Sequence, residues 1–431
     1  MDIKDVKRRK GLDSHLEIAI SRTSSQTGWV HLFYDAPHIP QQDTIATLEN
    51  MYAILGLFRT RLSERILGGR ERLTKLLAFE VEGNFPVYLH QYPELRDRSL
   101  SVHILPVLYY LLKDFSAVMG EELCNSAYGL VERILAHATK MEEKKPLPFG
   151  ARVKWKAFTK ELKVQQPTTH QEWADYLIAL HMMESVAPWV SQEIQKAASY
   201  WNATIGLFLP PGIMPIHEKG LPKLTLVDLI LWQYESREWP ALNEHACLGL
   251  KSALLYPFLL PKEQLVFSSK AHAEIQGGGG SIPWATYWRE DGYVYSLALA
   301  QNAGGVEIRK EGEDIYFVCT LPQEIPREEE SSEVAWYLSA HSSCPLAIEG
   351  QSASAFGIHD TVTLQTPSKR WDLTMEIKEG EGRFLGHLLK ASRPCERSKE
   401  AFDAYDWKIA IRTLERSSSC SLVLRLKPIH G

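Results

Sequence analysis

Apolar positions follow two different periods along this chain of 431 residues. From about residue 44 to residue 260 they recur every three or four positions, the spacing that places them on one face of a helix. From about residue 293 onward they alternate with polar positions or form short β-branched and aromatic runs, the pattern of strands. The sequence therefore predicts an all-helical part followed by an all-β part.

The helical part contains nine segments with an apolar stripe, separated by loops rich in Pro, Gly and aromatic residues. Gly68-Gly69 is expected to interrupt the first long pattern, and Thr168-Thr169 to supply an N-cap. The predicted helices span residues 44–67, 71–79, 100–115, 121–137, 155–162, 170–183, 192–202, 224–234 and 242–256.

These helices come in pairs, and antiparallel helical hairpins wound about one axis form an α/α toroid. The alternative is a solenoid of helical repeats. A solenoid is marked by a fixed sequence period of 20 to 50 residues, and this chain has no such repeat. The α/α toroid is therefore the favoured interpretation.

The β part contains short strand patterns broken by Gly, Pro and Ser, which favours an antiparallel β-sandwich. The glycines of Glu379-Gly-Glu-Gly382 suit a tight hairpin turn between two strands. Gly277 to Gly280 lacks the Lys-Ser/Thr tail of a phosphate-binding loop and is read as an interdomain hinge. The predicted division is an arm over residues 1–43, a toroid over 44–276 and a sandwich over 277–431.

Composition and charge exclude several classes of protein. The net charge of −5, with a pI near 6.3, gives no basic excess for binding nucleic acid. No segment is expected to cross a membrane, and no secretory signal pattern follows the basic N-terminus. The six cysteines are scattered without a C-x-x-C pair, which favours reduced thiols and a cytoplasmic protein over disulfides or a zinc site. No cofactor or metal motif is present.

The densest group of chemically useful residues is the loop of residues 83–97. Loops at the open end of a helical ring line a concave mouth, where pockets form. Asn84, His90 and Tyr92 are the catalytic candidates, because a Tyr and a His beside an amide can move a proton next to a carboxylate. Arg96 is a candidate for binding that carboxylate, whereas the alternative interpretation is that the loop packs the rim and caps helix ends.

Three further groups supply possible binding residues. The segment around Trp201, Asn202 and His217 joins aromatic surface to polar groups, although a tryptophan is more often core. Glu235 and Arg237 lie in an aromatic segment in which Glu235 and Glu238 would form an acid/base pair, although such residues are usually solvated. An aromatic arm before the first helix carries two more candidates, His31 and Tyr34.

A toroid followed by a sandwich resembles the heparinase II/III-like polysaccharide lyases and their alginate-lyase relatives. The likeness is one of domain order and size, and the runs 379–388 and 405–412 look like late strands of such a sandwich. The resemblance implies a substrate cleft between the two domains, where a uronate carboxylate is neutralised, a Tyr or His removes the C5 proton and a Tyr protonates O4. It assigns these roles to Asn84, His90 and Tyr92 first, then to Asn202 and His217, with His341 and His359 reaching from the sandwich.

Two functions follow as hypotheses. The first is a lyase, or a hydrolase in the same cleft, acting on an acidic oligosaccharide or polysaccharide. The second is a non-catalytic binding or scaffold protein that retains both domains. A prenyl-transferring or cyclising toroid is disfavoured, because no Asp-rich diphosphate motif and no cluster of zinc ligands occur in the sequence.

Overall fold

The structure is a computed structural model. It describes residues 13–14, 17, 21–36, 39–183, 189–215, 217–218, 221–222, 224–235, 246–255, 265–277, 281–290, 293–301, 304–323, 332–339, 346–366, 369–390, 407–416 and 419–429.

The chain divides into two compact units, and it passes between them more than once. The helical unit contains Met1–Ser199 and Thr225–Val266, and the β-unit contains Tyr200–Leu224 and Phe267–Gly431. This division assigns Tyr200–Leu224 to the β-unit, whereas the sequence pattern placed that segment with the helices. Gly277 also lies inside the β-unit, between two strands that pair with each other.

The helical unit contains a short hairpin of two strands, β1 (Leu32–Ala36) and β2 (Ile39–Thr44), in the segment that the sequence predicts as an arm. Its described helices are α1 (Thr47–Arg59), α2 (Ser63–Leu77), α3 (Leu100–Met119), α4 (Glu121–Lys144), α5 (Phe149–Phe158), α6 (His170–Met183), α7 (Trp189–Ser199), α8 (Leu226–Tyr234) and α9 (Ala246–Leu255).

The contacts among these helices close on themselves. The circuit runs from α1 to α3, α5, α6, α8 and α9, and it returns to α1. The other three helices lie on members of this circuit: α2 on α1, α4 on α3 and α7 on α6. Helices adjacent in sequence contact each other in the pairs α1–α2, α3–α4, α5–α6 and α8–α9.

Helix α2 runs through Gly68-Gly69, so the predicted interruption at these glycines is wrong. The chain breaks instead at Thr60 and Arg61, where Arg61 has a positive φ of 57°. A Cβ at Gly69 would lie 2.9 Å from the ring of Phe58 on α1, whereas a Cβ at Gly68 would meet nothing within 4 Å. Gly69 therefore permits two helices to pack closely rather than ending one.

Helix α3 is long and apolar enough to cross a bilayer by length and composition, contrary to the expectation that no segment is. Core helices of globular proteins pass the same test, and 61% of its apolar window is buried within the structure. Its apolar residues face α1, α4 and α5.

The β-unit contains two antiparallel sheets that share one core. Its strands from residue 272 onward are β7 (His272–Gln276), β8 (Trp284–Glu290), β9 (Tyr293–Gln301), β10 (Gly305–Glu311), β11 (Asp314–Leu321), β12 (Ser332–Ser339), β13 (Leu346–Ile348), β14 (Ala355–Phe356), β15 (Val362–Gln365), β16 (Arg370–Glu379), β17 (Gly382–Lys390), β18 (Trp407–Arg416) and β19 (Cys420–Ile429). One sheet has the strand order β10-β11-β19-β16-β15-β13, and the other has the order β14-β17-β18-β12-β9-β8-β7. Trp284 and Trp336 of the second sheet contact Phe317 of the first, with ring centroids 5.1 and 5.0 Å apart.

The connection Glu379-Gly-Glu-Gly382 is not a hairpin, because it joins strands of different sheets. Strand β16 pairs with β15 and β19, whereas β17 pairs with β14 and β18. Gly380 has a φ of 81°, and a Cβ there would overlap the carbonyl oxygen of Ser419. Glycine is therefore required at this position because the chain crosses between sheets there.

The segment Tyr200–Leu224 adds two small hairpins to the β-unit, made of strands β3 (Trp201–Asn202), β4 (Leu207–Phe208), β5 (His217–Glu218) and β6 (Leu221–Pro222). Ile205 and Leu207 pack with Ala285, Tyr287 and Ala298 in a second apolar cluster. The predicted helix over residues 192–202 ends at Ser199 for this reason: its last residues enter a strand.

Candidate functional site

A buried ion pair joins two helices of the closed circuit. The ammonium of Lys154 on α5 donates to Oδ1 of Asp175 on α6 at 2.5 Å, and both side chains are almost fully buried. Burial alone would raise the pKa of Asp175, but the charge and hydrogen bond of Lys154 outweigh it and the pKa lies below its usual range. Gly150 makes room for this carboxylate, because a Cβ there would overlap Asp175.

His103 of α3 accepts a second hydrogen bond from Lys154. The ammonium of Lys154 lies 2.9 Å from Nδ1 of His103. Because an ammonium only donates, Nδ1 accepts, and the ring proton of the neutral imidazole resides on Nε2. Burial and then the charge of Lys154 lower the pKa of His103 to about 4. His103 is only partly buried, so it is a neutral N–H donor within reach of solvent.

Two residues one helical turn apart on α1 border the same group. Glu49 is partly exposed, and burial raises the pKa of its carboxyl although its own backbone and Lys251 of α9 oppose the shift. Tyr52 is buried, and burial, Glu49 and Asp175 together raise the pKa of its hydroxyl well above 10. The side chains at these positions share one helix face.

Five of the six helices in the circuit therefore contribute to one polar cluster. We use the term polar cluster for Glu49, Tyr52, His103, Lys154, Asp175 and Lys251. It combines a carboxyl with a raised pKa, a phenol that keeps its proton, a neutral imidazole N–H and two cations. These groups can remove a proton, donate a proton and neutralise an anion, which are the elements of acid/base catalysis.

The predicted catalytic residue Asn84 has a structural role. Its Nδ2 donates to the carbonyl of Asp97 at 2.8 Å, and its Oδ1 accepts from the backbone N–H of Ser101 in the first turn of α3 at 3.0 Å. The side chain is buried. Asn84 thus ties the loop of residues 83–97 to the start of the helix that carries His103.

The other residues of that loop lie at the surface. His90 is exposed and stacks on Tyr88 with ring centroids 5.6 Å apart. Tyr92 is 48% exposed and packs edge-on against Phe79. Arg96 is exposed and pairs with Glu94 at 3.5 Å. The loop presents aromatic and basic groups to solvent, while the amide predicted to act with them is turned inward.

Trp201 and Asn202 do not form a sugar platform. Trp201 is fully buried, which leaves no ring face for a ligand. Asn202 donates from Nδ2 to the carbonyl of Lys270 at 3.0 Å, and its Oδ1 accepts from the N–H groups of Thr204 and Ile205. Both residues hold the Tyr200–Leu224 segment in the β-unit.

His217 forms a hydrogen-bonded pair within the β-unit. Its Nδ1 lies 2.7 Å from the carbonyl of Pro215, and its Nε2 lies 2.6 Å from the hydroxyl of Tyr287. A carbonyl only accepts, so Nδ1 carries the proton and Nε2 accepts from Tyr287. The buried hydroxyl of Tyr287 has a pKa raised well above 10 by burial.

The remaining predicted site residues either have other surroundings in the structure or lie outside the described residues. Glu235 ends α8, and His31 lies 2.8 Å from the hydroxyl of Thr27. His359 is exposed on the β-unit. The side chain of Tyr34, and Arg237, Glu238 and His341 altogether, lie outside the described residues.

The sequence does carry a signal for the polar cluster. Lys154 and Asp175 each interrupt a helix segment whose neighbours on both sides are apolar, and every residue of α6 from Trp173 to Met183 is buried. A charged residue inside such a segment is rarely buried without a partner. Helical periodicity alone does not show which two charges meet, because they are supplied by different helices.

Comparison with known proteins gives little further information. No protein-family model matches this sequence, and no curated protein matches it. Among solved structures, this chain bears a weak structural resemblance to the crystal structure of heparinase III, with a TM-score of 0.40 and 7% sequence identity. The match covers 99% of this chain and 77% of that chain.

Proposed function

We propose that this protein is a lyase-like protein that acts on a uronate-containing glycan, with the polar cluster as its acid/base site. The observation that carries the proposal is the convergence of five helices of a closed circuit on one partly accessible acid/base group. The closed circuit also supports the α/α toroid. The substrate cleft between toroid and sandwich stays a prediction.

The proposed reaction is β-elimination at a 4-linked uronate. Glu49 takes the C5 proton, the C4–O4 bond breaks, the electron pair of the C5–H bond forms the C4=C5 double bond, and a donor on the protein protonates O4. A carboxyl with a raised pKa suits the base, because a base is most effective when its pKa approaches the working pH. Tyr52 is the acid that protonates O4, the Nε2–H of His103 donates a hydrogen bond to that oxygen, and Lys251 is the cation for the uronate carboxylate.

Ultraviolet absorbance of the new C=C bond conjugated to the carboxylate tests this function. We expect 1,4-linked uronate polymers such as polygalacturonate to produce the signal and neutral glucans to produce none. Glu49→Gln should lower the turnover rate by about a hundredfold or more, since a positioned acid or base typically contributes at least that factor. Absence of any signal from uronate polymers with folded protein would exclude the lyase.

A matched pair of histidine variants distinguishes catalysis by the polar cluster from catalysis by the loop of residues 83–97. His103→Gln removes the imidazole beside Lys154, and His90→Gln removes one that stacks on Tyr88 at the surface. We expect His103→Gln to be impaired and His90→Gln and Tyr92→Phe to retain turnover. The opposite result would return the catalytic role to the loop of residues 83–97.

The second candidate function is glycan binding without catalysis, and the surface loop is the observation that favours it. His90, Tyr92 and Arg96 are exposed residues of this one loop, and their aromatic and basic groups suit a sugar ring with a carboxylate. In that case Arg96→Ala should weaken binding of oligogalacturonate about tenfold, and Glu49→Gln should leave the affinity unchanged.

A further inference from the structure

Strands β7 and β10 are edge strands of the two sheets of the β-unit, and Lys310 of β10 forms an ion pair with Glu274 of β7 at 2.9 Å. His272 of β7 lies directly opposite Trp288 of β8 in an antiparallel pair, so the two side chains share a face of the sheet. Trp288 belongs to the core between the sheets. His272 is therefore a polar, exposed residue on the inward face of an edge strand.

Lys369 lies at the same end of the sandwich. Its ammonium is 5.5 Å from the ring centroid of Trp288 and 5.7 Å from that of Trp371, and these two indoles meet edge to face at 4.9 Å. Trp288 is buried, but Trp371 and Lys369 are partly exposed. A cation and an aromatic ring thus reach the surface together.

The buried carboxylate of Glu290 already accepts hydrogen bonds from other side chains. Oε2 of Glu290 accepts from Oγ1 of Thr366 at 3.0 Å and from Nε1 of Trp288 at 3.3 Å. Lys369 forms no ion pair with a carboxylate of the described residues. Burial lowers the pKa of the Lys369 ammonium, and the charge of Glu290 opposes this shift only in part. Burial and the charge of Lys369 both lower the pKa of His272, while Glu274 opposes and Lys310 adds to the lowering. The imidazole of His272 and the ammonium of Lys369 therefore both lie beside Trp288, and no described carboxylate forms an ion pair with both of them.

We propose that Lys369, His272 and Trp371 form a binding site for an acidic sugar residue on the β-unit. The ammonium of Lys369 supplies donors for the carboxylate, as does Nδ1–H of His272 in the tautomer whose Nε2 accepts from Oγ1 of Thr286 at 2.8 Å. The exposed part of the Trp371 indole contacts the flat face of the sugar ring. The ligand class is that of the proposed function, but the site uses none of the residues of the polar cluster.

Site-resolved labelling of lysine amines with an acetylating reagent tests the proposal. A lowered pKa leaves more of the Lys369 amine unprotonated, which makes it a sensitive reporter. We expect tetragalacturonate to slow acetylation of Lys369 several-fold and a neutral glucose tetramer to have no effect. Lys390, which lies 5.6 Å from the ring centroid of Trp407 in the same unit, is the internal control and should not change.

Inorganic phosphate distinguishes a sugar site from a general anion site. Equal protection of Lys369 by phosphate and by tetragalacturonate would overturn the proposal, as would unchanged labelling at saturating tetragalacturonate. Using the Glu49→Gln variant keeps the oligosaccharide intact, so a failed lyase assay and a failed labelling experiment are separate results.

A matched pair of variants measures the contribution of the charge. Lys369→Met keeps an apolar stem over Trp288 and Trp371 and removes the ammonium, and Lys390→Met makes the same change over Trp407. We expect Lys369→Met to weaken tetragalacturonate binding in calorimetry by about tenfold and Lys390→Met to leave it unchanged. Equal affinities for both variants would contradict the site.

Discussion

Lys154 shows how one residue links stability to chemistry. Its ammonium is buried between three helices and donates hydrogen bonds to Asp175 and His103. Removing two charges from water is costly, and their attraction offsets that cost only when the geometry is good. The same contact holds His103 in the tautomer that presents Nε2–H.

Lys154→Met should destabilise the helical unit by about 3–5 kcal/mol, because it leaves the carboxylate of Asp175 buried without its cation. Urea denaturation followed by circular dichroism measures the loss. Adding Asp175→Leu should recover part of it, since the unpaired charge is then removed. A single variant as stable as the parent protein would show that the pair contributes nothing.

Gly150→Ala should cost about 1–3 kcal/mol, because its Cβ overlaps the carboxylate of Asp175 in a fully packed site. Gly68→Ala is the control: it lies within helix α2 and its Cβ meets nothing within 4 Å. That change should stabilise by about 0.5–1 kcal/mol, since alanine restricts the unfolded chain. Thermal denaturation of both variants compares the two glycines directly, and equal shifts would contradict the packing argument.

Single elements of this fold begin and end at residues that satisfy backbone groups. Asp228, three residues into α8, accepts from the backbone N–H of Thr225 at 2.8 Å and from its hydroxyl at 2.5 Å. Thr168 donates twice to Glu172 before α6, and Thr169 accepts from the N–H of Glu172 at 3.1 Å, so the predicted cap at Thr168-Thr169 is confirmed. Such pairs fix where the chain turns into each helix.

Asp228→Ala should destabilise the protein by about 1 kcal/mol, because it removes the acceptor of two donors at the start of α8. Glu64→Ala, an exposed acidic residue in the first turn of α2, should change stability by less than about 0.5 kcal/mol. Denaturant midpoints measured for both variants would contradict the capping role if they were equal.

Periodicity was sufficient to predict most of the helices and strands, because their apolar faces are buried in the way that the spacing requires. It could not predict that Gly69 packs on Phe58, or that β16 and β17 belong to different sheets, because both facts depend on which elements meet. The same limit applies to the site. Asn84 lies in the most polar loop but caps a helix, whereas His103, Lys154 and Asp175 meet from three apolar helices.

At the scale of the whole molecule, buried neutral histidines make stability depend on pH. Burial lowers the pKa of His103 to about 4 and that of His181, which is hydrogen-bonded to Tyr234, to about 3. As the pH falls below about 6.5, the usual pKa of histidine, these two side chains bind protons in the unfolded chain but not in the folded chain. The free energy of unfolding therefore decreases through this window.

Each of these histidines should remove about 1.6 kcal/mol of stability between pH 6.5 and pH 5, because the slope rises from about half of its limit of 1.4 kcal/mol per pH unit as the unfolded histidine becomes protonated. Calorimetry across that range should show the melting temperature falling with pH. His181→Gln keeps a hydrogen-bonding side chain beside Tyr234 and cannot be protonated, so its curve should be flatter. A parent protein with the same melting temperature at both pH values would contradict the prediction.

The segment Tyr200–Leu224 has a consequence for the order in which the chain is made. It leaves the ribosome before strands β7 to β19, yet Ile205 and Leu207 pack on Ala285, Tyr287 and Ala298 of those later strands. During synthesis its apolar side chains have no partner until the C-terminal part of the chain has emerged. A nascent chain arrested before residue 267 would therefore expose the apolar side chains of this segment, and chaperones that bind apolar segments would recognise them.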